Sequence, residues 1–162
     1  MERFYSSCIR LAEKSPSYRF LLILLCKFSP IGIAVIYLGL GILLAFQRDI
    51  RIWCYLISPM LCLLVVKGLR VFIQRKRPFE KYQFEPVIGH DTGCSFPSKH
   101  AASAAVICVA CWYIHFPLGV FIAVLAFLAG ATRILTGIHY ISDVVSGWGL
   151  GCSIGLLGCW LL

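Results

Sequence analysis

Five apolar runs, near residues 31–46, 52–66, 101–114, 117–132 and 144–162, take up most of this chain. At 162 residues, 60% hydrophobic and only 14% charged, a water-soluble domain would have too much of itself near its exterior to hide that surface. A bilayer offers an apolar solvent instead. Its hydrocarbon core is about 30 Å thick and a helix rises about 1.5 Å per residue, so about 20 apolar residues cross it. Several runs fall slightly short, which puts their polar flanks near the interface. The expectation is an all-α, polytopic transmembrane helix bundle of about five spans, forming one membrane-embedded domain over residues 1–162.

Residues 4–14 mix apolar and charged side chains, as in a short amphipathic helix on a membrane surface, and Ser15-Pro16 breaks it. Residues 18–28 are apolar but too few to cross alone. They make residues 1–30 an interfacial N-terminal segment, add a sixth crossing, or join 31–46 in one kinked helix through Pro30, which lacks a backbone donor. The second span runs from about Ile52 to Ile73 and ends in Arg75-Lys76-Arg77-Pro78. Residues 79–96 are the one long polar loop. A third helix is expected from Pro97 to about His115, a fourth from Leu118 to Leu135, then a break at Gly137 and a fifth helix to the C-terminus. With this parity, the end of span two, the start of span three, the end of span four and the start of span five share one membrane side.

The net charge of +8 would suggest nucleic acid in a soluble protein. Here it points to anionic lipid head groups or to a phosphate pocket, with no nucleic-acid partner. The nine cysteines are odd in number and mostly lie within apolar runs, where a thiol acts as a small hydrophobe. They imply no disulfide framework, and Cys108 and Cys111 read as core residues. The basic N-terminus lacks a clear cleavage site before Pro30 and reads as retained.

Three polar clusters fall on the shared side. Lys67, Arg70, Gln74 and Arg77 are spaced three, four and three apart, as along one helix face. They suit either interfacial anchoring or a grip on one anion by guanidinium forks. In Cys94-Ser-Phe-Pro-Ser-Lys-His100, proline at a first helical position would leave the N–H groups of Ser98, Lys99 and His100 free for an anion, or the segment is an ordinary cap. In the third cluster, Arg133 precedes His139 and Asp143, which lie four apart. The carboxylate can hold one imidazole nitrogen and leave the other as a nucleophile, or the two form a structural pair. Gly147, Gly151 and Gly155, with Ala101 and Ala105, are small-residue ridges that let backbones approach. If those faces meet, His100 and His139 can face one phosphorus.

Taken in order, these segments resemble the type-2 phosphatidic acid phosphatase superfamily, which also includes the vanadium haloperoxidases. The family pattern is K-x6-R-P, P-S-G-H and S-R-x5-H-x3-D. Here it reads Arg70-x6-Arg77-Pro78, Pro97-Ser98-Lys99-His100 and Thr132-Arg133-x5-His139-x3-Asp143, within residues 70–143. Arg70 stands for a lysine, Lys99 for a glycine and Thr132 for a serine. The resemblance implies that Arg70, Arg77, Arg133 and Ser98 hold the phosphoryl oxygens, with Lys99 adding charge beside them. It further implies that His139 attacks phosphorus, Asp143 orients it, and His100 protonates the leaving oxygen and then activates water. The implied activity is hydrolysis of a lipid phosphate or diphosphate, with no cofactor, no metal and no obligate protein partner. Polyprenyl diphosphate, phosphatidylglycerophosphate and phosphatidic acid are the candidate substrates.

Rival readings are a lipid phosphotransferase, a metal hydrolase using His100, His139 and Asp143 with His90 or Asp91, and a non-enzymatic transporter or lipid-binding scaffold. A transporter places its ionisable groups near mid-membrane, whereas these crowd one interface. The family habit places such a site on the extracytoplasmic face of the plasma membrane. The positive-inside rule pulls the other way, because Arg3, Arg10, Lys14 and Arg19 share the site's side under a five-span count.

Overall fold

The structure is a computed structural model and describes residues 1–90 and 92–161. It contains α1 (Glu2–Lys14), α2 (Pro16–Gln47), α3 (Ile52–Ile73), the short α4 (Pro78–Tyr82), α5 (Lys99–Ile114), α6 (Phe116–Leu135) and α7 (Ile141–Leu161). Four helical segments, Pro16–Gln47, Ile52–Tyr82, Phe116–Leu135 and Ile141–Leu161, are long and apolar enough to cross a membrane. The shorter apolar α5 sits among them and packs against α2, α3, α6 and α7. The result is an all-α membrane helix bundle whose outer faces carry apolar side chains such as Val35, Leu64, Phe127 and Leu156, as a lipid solvent favours.

Ser15 is extended and ends α1, and Pro16 opens α2, where its missing N–H is no loss. Pro30 lies inside α2 without ending it. Residues 18–28 therefore belong to the same helix as 31–46, and a separate sixth crossing is not formed. At 32 residues that helix is about 48 Å long, longer than the hydrocarbon core, so its N-terminal turns reach past the apolar layer.

The small-residue ridges do meet. A Cβ at Gly147 would come within 2.8 Å of the Ser98 carbonyl, and one at Gly151 within 2.8 Å of Ala105 Cβ. One at Gly155 would lie 2.8 Å from Val109 Cβ. Glycine at these three turns is what lets α7 lie against α5. Elsewhere the core is Ile33, Leu44, Tyr55, Ala104, Cys111 and Ile122. The Tyr37 and Tyr55 rings stack at 4.4 Å, and each hydroxyl donates to the other's carbonyl, at 3.0 and 2.7 Å. Cys108 and Cys111 are buried and free; Cys108 donates to the Gly119 carbonyl at 3.4 Å.

One expected helix face and one expected boundary are corrected. Helix α3 ends at Ile73, as expected, but Gln74 turns left-handed (φ 42) and caps it. Arg77 is thus not on the Lys67–Arg70 helix face; it is the residue before α4. Helix α5 starts at Lys99, not Pro97, with Ser98 as its N-cap.

Candidate active site

The site grows from the break between α6 and α7. Thr136 donates its hydroxyl back to the Thr132 carbonyl at 2.7 Å, and Gly137 takes φ 78. Glycine is required there: besides the positive φ, a Cβ would come within 2.6 Å of the Phe84 ring. The turn brings the N–H groups of Ile138 and His139 onto the Arg133 carbonyl, at 3.2 and 3.1 Å. His139 is thereby held directly over the end of α6. From the other side, the Tyr5 hydroxyl donates to the His139 carbonyl at 3.2 Å. Burial, with Asp143 adding to it, pushes the Tyr5 phenol up, so it remains a neutral donor. This contact also places α1 on the same face of the bundle as His139.

Asp143, fully buried, carries most of the local order. Its Oδ2 accepts from the Tyr140 N–H at 2.9 Å, capping α7 from inside its first turn, and also accepts from the Ser95 hydroxyl. Its Oδ1 accepts from Arg75 Nη1 at 2.8 Å. Arg75 also donates to Ser142 Oγ at 2.8 Å and lies 3.9 Å above the Tyr140 ring. The Asp143 carbonyl accepts from the Ser98 N–H at 3.0 Å, tying the starts of α5 and α7 together.

His139 is buried, with its side chain 2% exposed. Its Nδ1 lies 3.5 Å from Asp143 Oδ2 and 3.4 Å from Ser95 Oγ. The first distance is longer than an ordinary N–H···O hydrogen bond, so the carboxylate and Ser95 share that nitrogen. On the opposite edge Arg77 Nη1 sits 3.5 Å from Nε2 and 3.4 Å from the Ile138 carbonyl. Burial pushes the imidazole down to about 4, against the opposing pull of Asp143, and the neighbouring Arg77 charge pushes the same way. A neutral ring with its proton on Nδ1, facing Ser95 and Asp143, carries its lone pair on Nε2, toward Arg77. The Nε atoms of Arg77 and Arg133 are buried and have no hydrogen-bond partner among the described residues.

The structure brings His139, Asp143, Arg77 and Arg133 into one cluster. Ser98 is buried beside it, but its role differs from the expected one. Its N–H is taken by the Asp143 carbonyl, and its hydroxyl accepts from Ala101 N at 3.4 Å. Among the described residues, the amides at the start of α5 left for an anion are those of Lys99 and His100. His100 is half-buried and lies within electrostatic range of Arg133, His139, His90 and Arg70. Arg70 donates from Nε to the Pro97 carbonyl at 3.0 Å. Arg70, Lys67, Gln74 and Lys99 line an adjoining cleft of about 400 Å³. Three contributors escaped sequence reasoning. Ser95 falls within the Cys94–His100 stretch and Arg75 within the basic end Arg75-Lys76-Arg77-Pro78, neither with a spacing that marks it. Tyr5 gave no local signal at all. Among the described residues, no group of three or more His, Cys, Asp or Glu side chains is placed to hold a metal ion. Asp91, one ligand of the metal-hydrolase reading, lies outside the described residues.

Comparison with known proteins gives a consistent answer. The family model described as "PAP2 superfamily" matches residues 51–162. Over 99 residues the chain is 32% identical to the phosphatidylglycerophosphatase B of Bacillus subtilis (strain 168), covering 54% of this chain and 46% of the relative. Over 81 residues it is 32% identical to the undecaprenyl-diphosphatase BcrC of the same organism, covering 50% and 42%. The chain thus spans less than half the length of these curated relatives. In structure it is similar to a transmembrane PAP2 type phosphatidylglycerolphosphate phosphatase from Bacillus subtilis. The TM-score is 0.76 at 23% identity, over 99% of this chain and 83% of the other, a likeness of fold.

Proposed function

We infer the function of this chain from a plain premise: it belongs to the PAP2 superfamily. We propose that residues 1–162 form one membrane-embedded phosphatase domain that hydrolyses a lipid phosphate or diphosphate through a phosphohistidine. The observation that carries this reading is the polarisation of His139: a carboxylate and a hydroxyl on Nδ1, and Arg77 Nη1 at 3.5 Å from Nε2.

A phosphate entering between Arg77 and His139 takes up the guanidinium that rests against Nε2, and the unpartnered Nε atoms of Arg77 and Arg133 gain an acceptor. Arg70, with Ser98 as a fixed part of the wall and the Lys99 and His100 amides at the start of α5, completes the anion site. Nε2 attacks phosphorus in line, and Asp143 stabilises the imidazolium that forms. His100, on the adjacent helix start, protonates the leaving oxygen and then activates water. The arginines supply the positive charge that the transition state needs, so we propose that no metal takes part. The relatives' names supply the lipid candidates: phosphatidylglycerophosphate and undecaprenyl diphosphate. Phosphatidic acid is the simplest monoester to set beside them.

We place the protein in the plasma membrane with its site on the extracytoplasmic face. A single-cysteine variant with its thiol in the 79–96 loop tests this in intact cells with a membrane-impermeant reagent. Labelling that appears only after lysis puts the site in the cytoplasm. Activity is tested on purified protein in detergent, by phosphate release from the three lipids. Turnover should survive excess chelator, fall with vanadate and yield an acid-labile phosphoprotein. Loss with chelator and return with one added metal would transfer the site to a metal hydrolase. Transfer of phosphate to an acceptor alcohol faster than to water would make it a phosphotransferase.

A further inference from the structure

We propose that Lys67 and Lys99 form a second anion subsite beside the reacting phosphate, selecting lipids that carry a second phosphate. This rests on the phosphatase reading above and names the substrate class it takes. The cleft of about 400 Å³ between the end of α3 and the start of α5 is lined by Lys67, Arg70, Val71, Gln74, Cys94 and Lys99. Among the described residues, its walls hold three cations and no carboxylate. Both lysines are exposed, and neither joins any of the ion pairs formed among the described residues. Lys67 lies six residues before the end of α3, about 9 Å along the helix axis. A charge so placed near hydrocarbon is disfavoured unless it snorkels or finds a counter-charge. Lys99 reaches the same cleft from a different helix, which interfacial snorkelling alone does not require. It also stands where the family pattern has glycine, so this arrangement belongs to this chain.

The cleft adjoins the reacting site. Arg70 lines it while donating to Pro97 at the start of α5, and His100 follows Lys99 directly. The two kinds of cation suit two tasks. Guanidinium forks grip the phosphoryl group that must be held in line, whereas ammonium point charges tolerate a neighbouring anion of variable geometry. With a lipid diphosphate, the His139 Nε2–P bond forms as the bond from phosphorus to the bridging oxygen breaks, and the electron pair passes to the lipid monophosphate. That leaving group gains negative charge beside Lys67 and Lys99, so the subsite acts in the transition state. Water then cleaves the phosphohistidine to inorganic phosphate. In phosphatidylglycerophosphate the second anion is a phosphodiester farther from the broken bond, and the subsite contributes binding.

The test compares wild type, Lys67→Ala and Lys67→Ala/Lys99→Gly on two matched pairs. These are polyprenyl diphosphate against polyprenyl monophosphate, and phosphatidylglycerophosphate against phosphatidic acid. The ratio of kcat/KM within a pair should fall about tenfold in the double variant, a difference of about 1.4 kcal/mol. A fall confined to the first pair identifies the diphosphate as substrate, and one confined to the second identifies phosphatidylglycerophosphate. Ratios unchanged in both pairs overturn the subsite. If wild type releases phosphate from no lipid, the phosphatase reading fails and binding decides the subsite alone. His139→Ala protein should then bind inorganic pyrophosphate about tenfold more tightly than inorganic phosphate by calorimetry, with the difference lost when Lys67→Ala and Lys99→Gly are added. Equal affinities would overturn it.

Discussion

The two ends of this helix bundle are built from different materials. At the end that holds His139, buried side chains include Arg77, Ser95, Ser98, Arg133 and Asp143. At the other end, turns join α2 to α3 and α5 to α6. There the buried groups include Leu44 and Tyr55, stacked on the partly buried Tyr37, and the charged pair Arg51–Asp49 stays at the surface. Polar side chains at that end find protein partners: His115 caps α6 by accepting from Leu118 N, Arg51 donates to Asp49, and the Tyr37 and Tyr55 hydroxyls donate to each other's carbonyls. At the His139 end two arginine Nε atoms are buried without a partner among the described residues. A third such atom, Trp148 Nε1, lies along α7 and not at either end. Buried unsatisfied donors oppose folding. Two of the three lie at the end where we propose that an anion binds.

The sharpest way to break that contrast is His139→Ala. Phosphate release should drop by at least about a thousandfold, because no covalent intermediate can form, while size-exclusion behaviour and helical circular dichroism stay as in wild type. Retention of a large share of turnover ends the nucleophile assignment.

Next comes the contact that carries one end's geometry through the bundle. A side chain at Gly151 collides with Ala105 and the backbone of α5, whereas one at Gly149 meets nothing within 4 Å. Gly151→Val should lower stability by about 1–3 kcal/mol or more, as overpacking does. It should also cut turnover, because it separates the helix bearing His100 from the one bearing Asp143. Gly149→Ala should change neither. Melting curves in detergent, with turnover measured beside them, decide this; equal effects at the two glycines would show that the α5–α7 approach is not limiting.

Titration supplies a smaller effect. Burial holds His139 near 4, below the ordinary value of about 6.5. The folded ring is thus neutral at neutral pH, as the proposed nucleophile requires. Its lowered affinity for a proton stabilises the fold fully only above about 6.5; that contribution is lost as pH falls through the folded value near 4. Ring ¹⁵N shifts of labelled protein should give a midpoint near 4 for His139. A midpoint near 6.5 would mean that water reaches the ring. At the far end the expected effect is smallest: Arg51→Ala should leave turnover and melting temperature unchanged, since an exposed ion pair contributes little.

Much of this was present in the order of residues alone. Apolar runs need only local composition to declare themselves, so the second span emerges at Ile52–Ile73 as read from sequence. The glycines and alanines of α7 and α5 announced a close approach that the structure makes. Arg133, His139 and Asp143 could be grouped because they lie within eleven residues joined by one turn. Sequence went astray where periodicity was carried past a helix end. Gln74 turns left-handed, so Arg77 leaves the Lys67–Arg70 face and reaches His139 from a loop. Tertiary structure alone decided that Ser95, Arg75 and Tyr5 converge on His139 and Asp143, across separations of 48, 68 and 134 residues. The physical reason is that a helix or a cap is specified by neighbours in the chain. The environment of a buried imidazole is specified by whatever side chains packing brings to it, and those contacts have no signature in any local window.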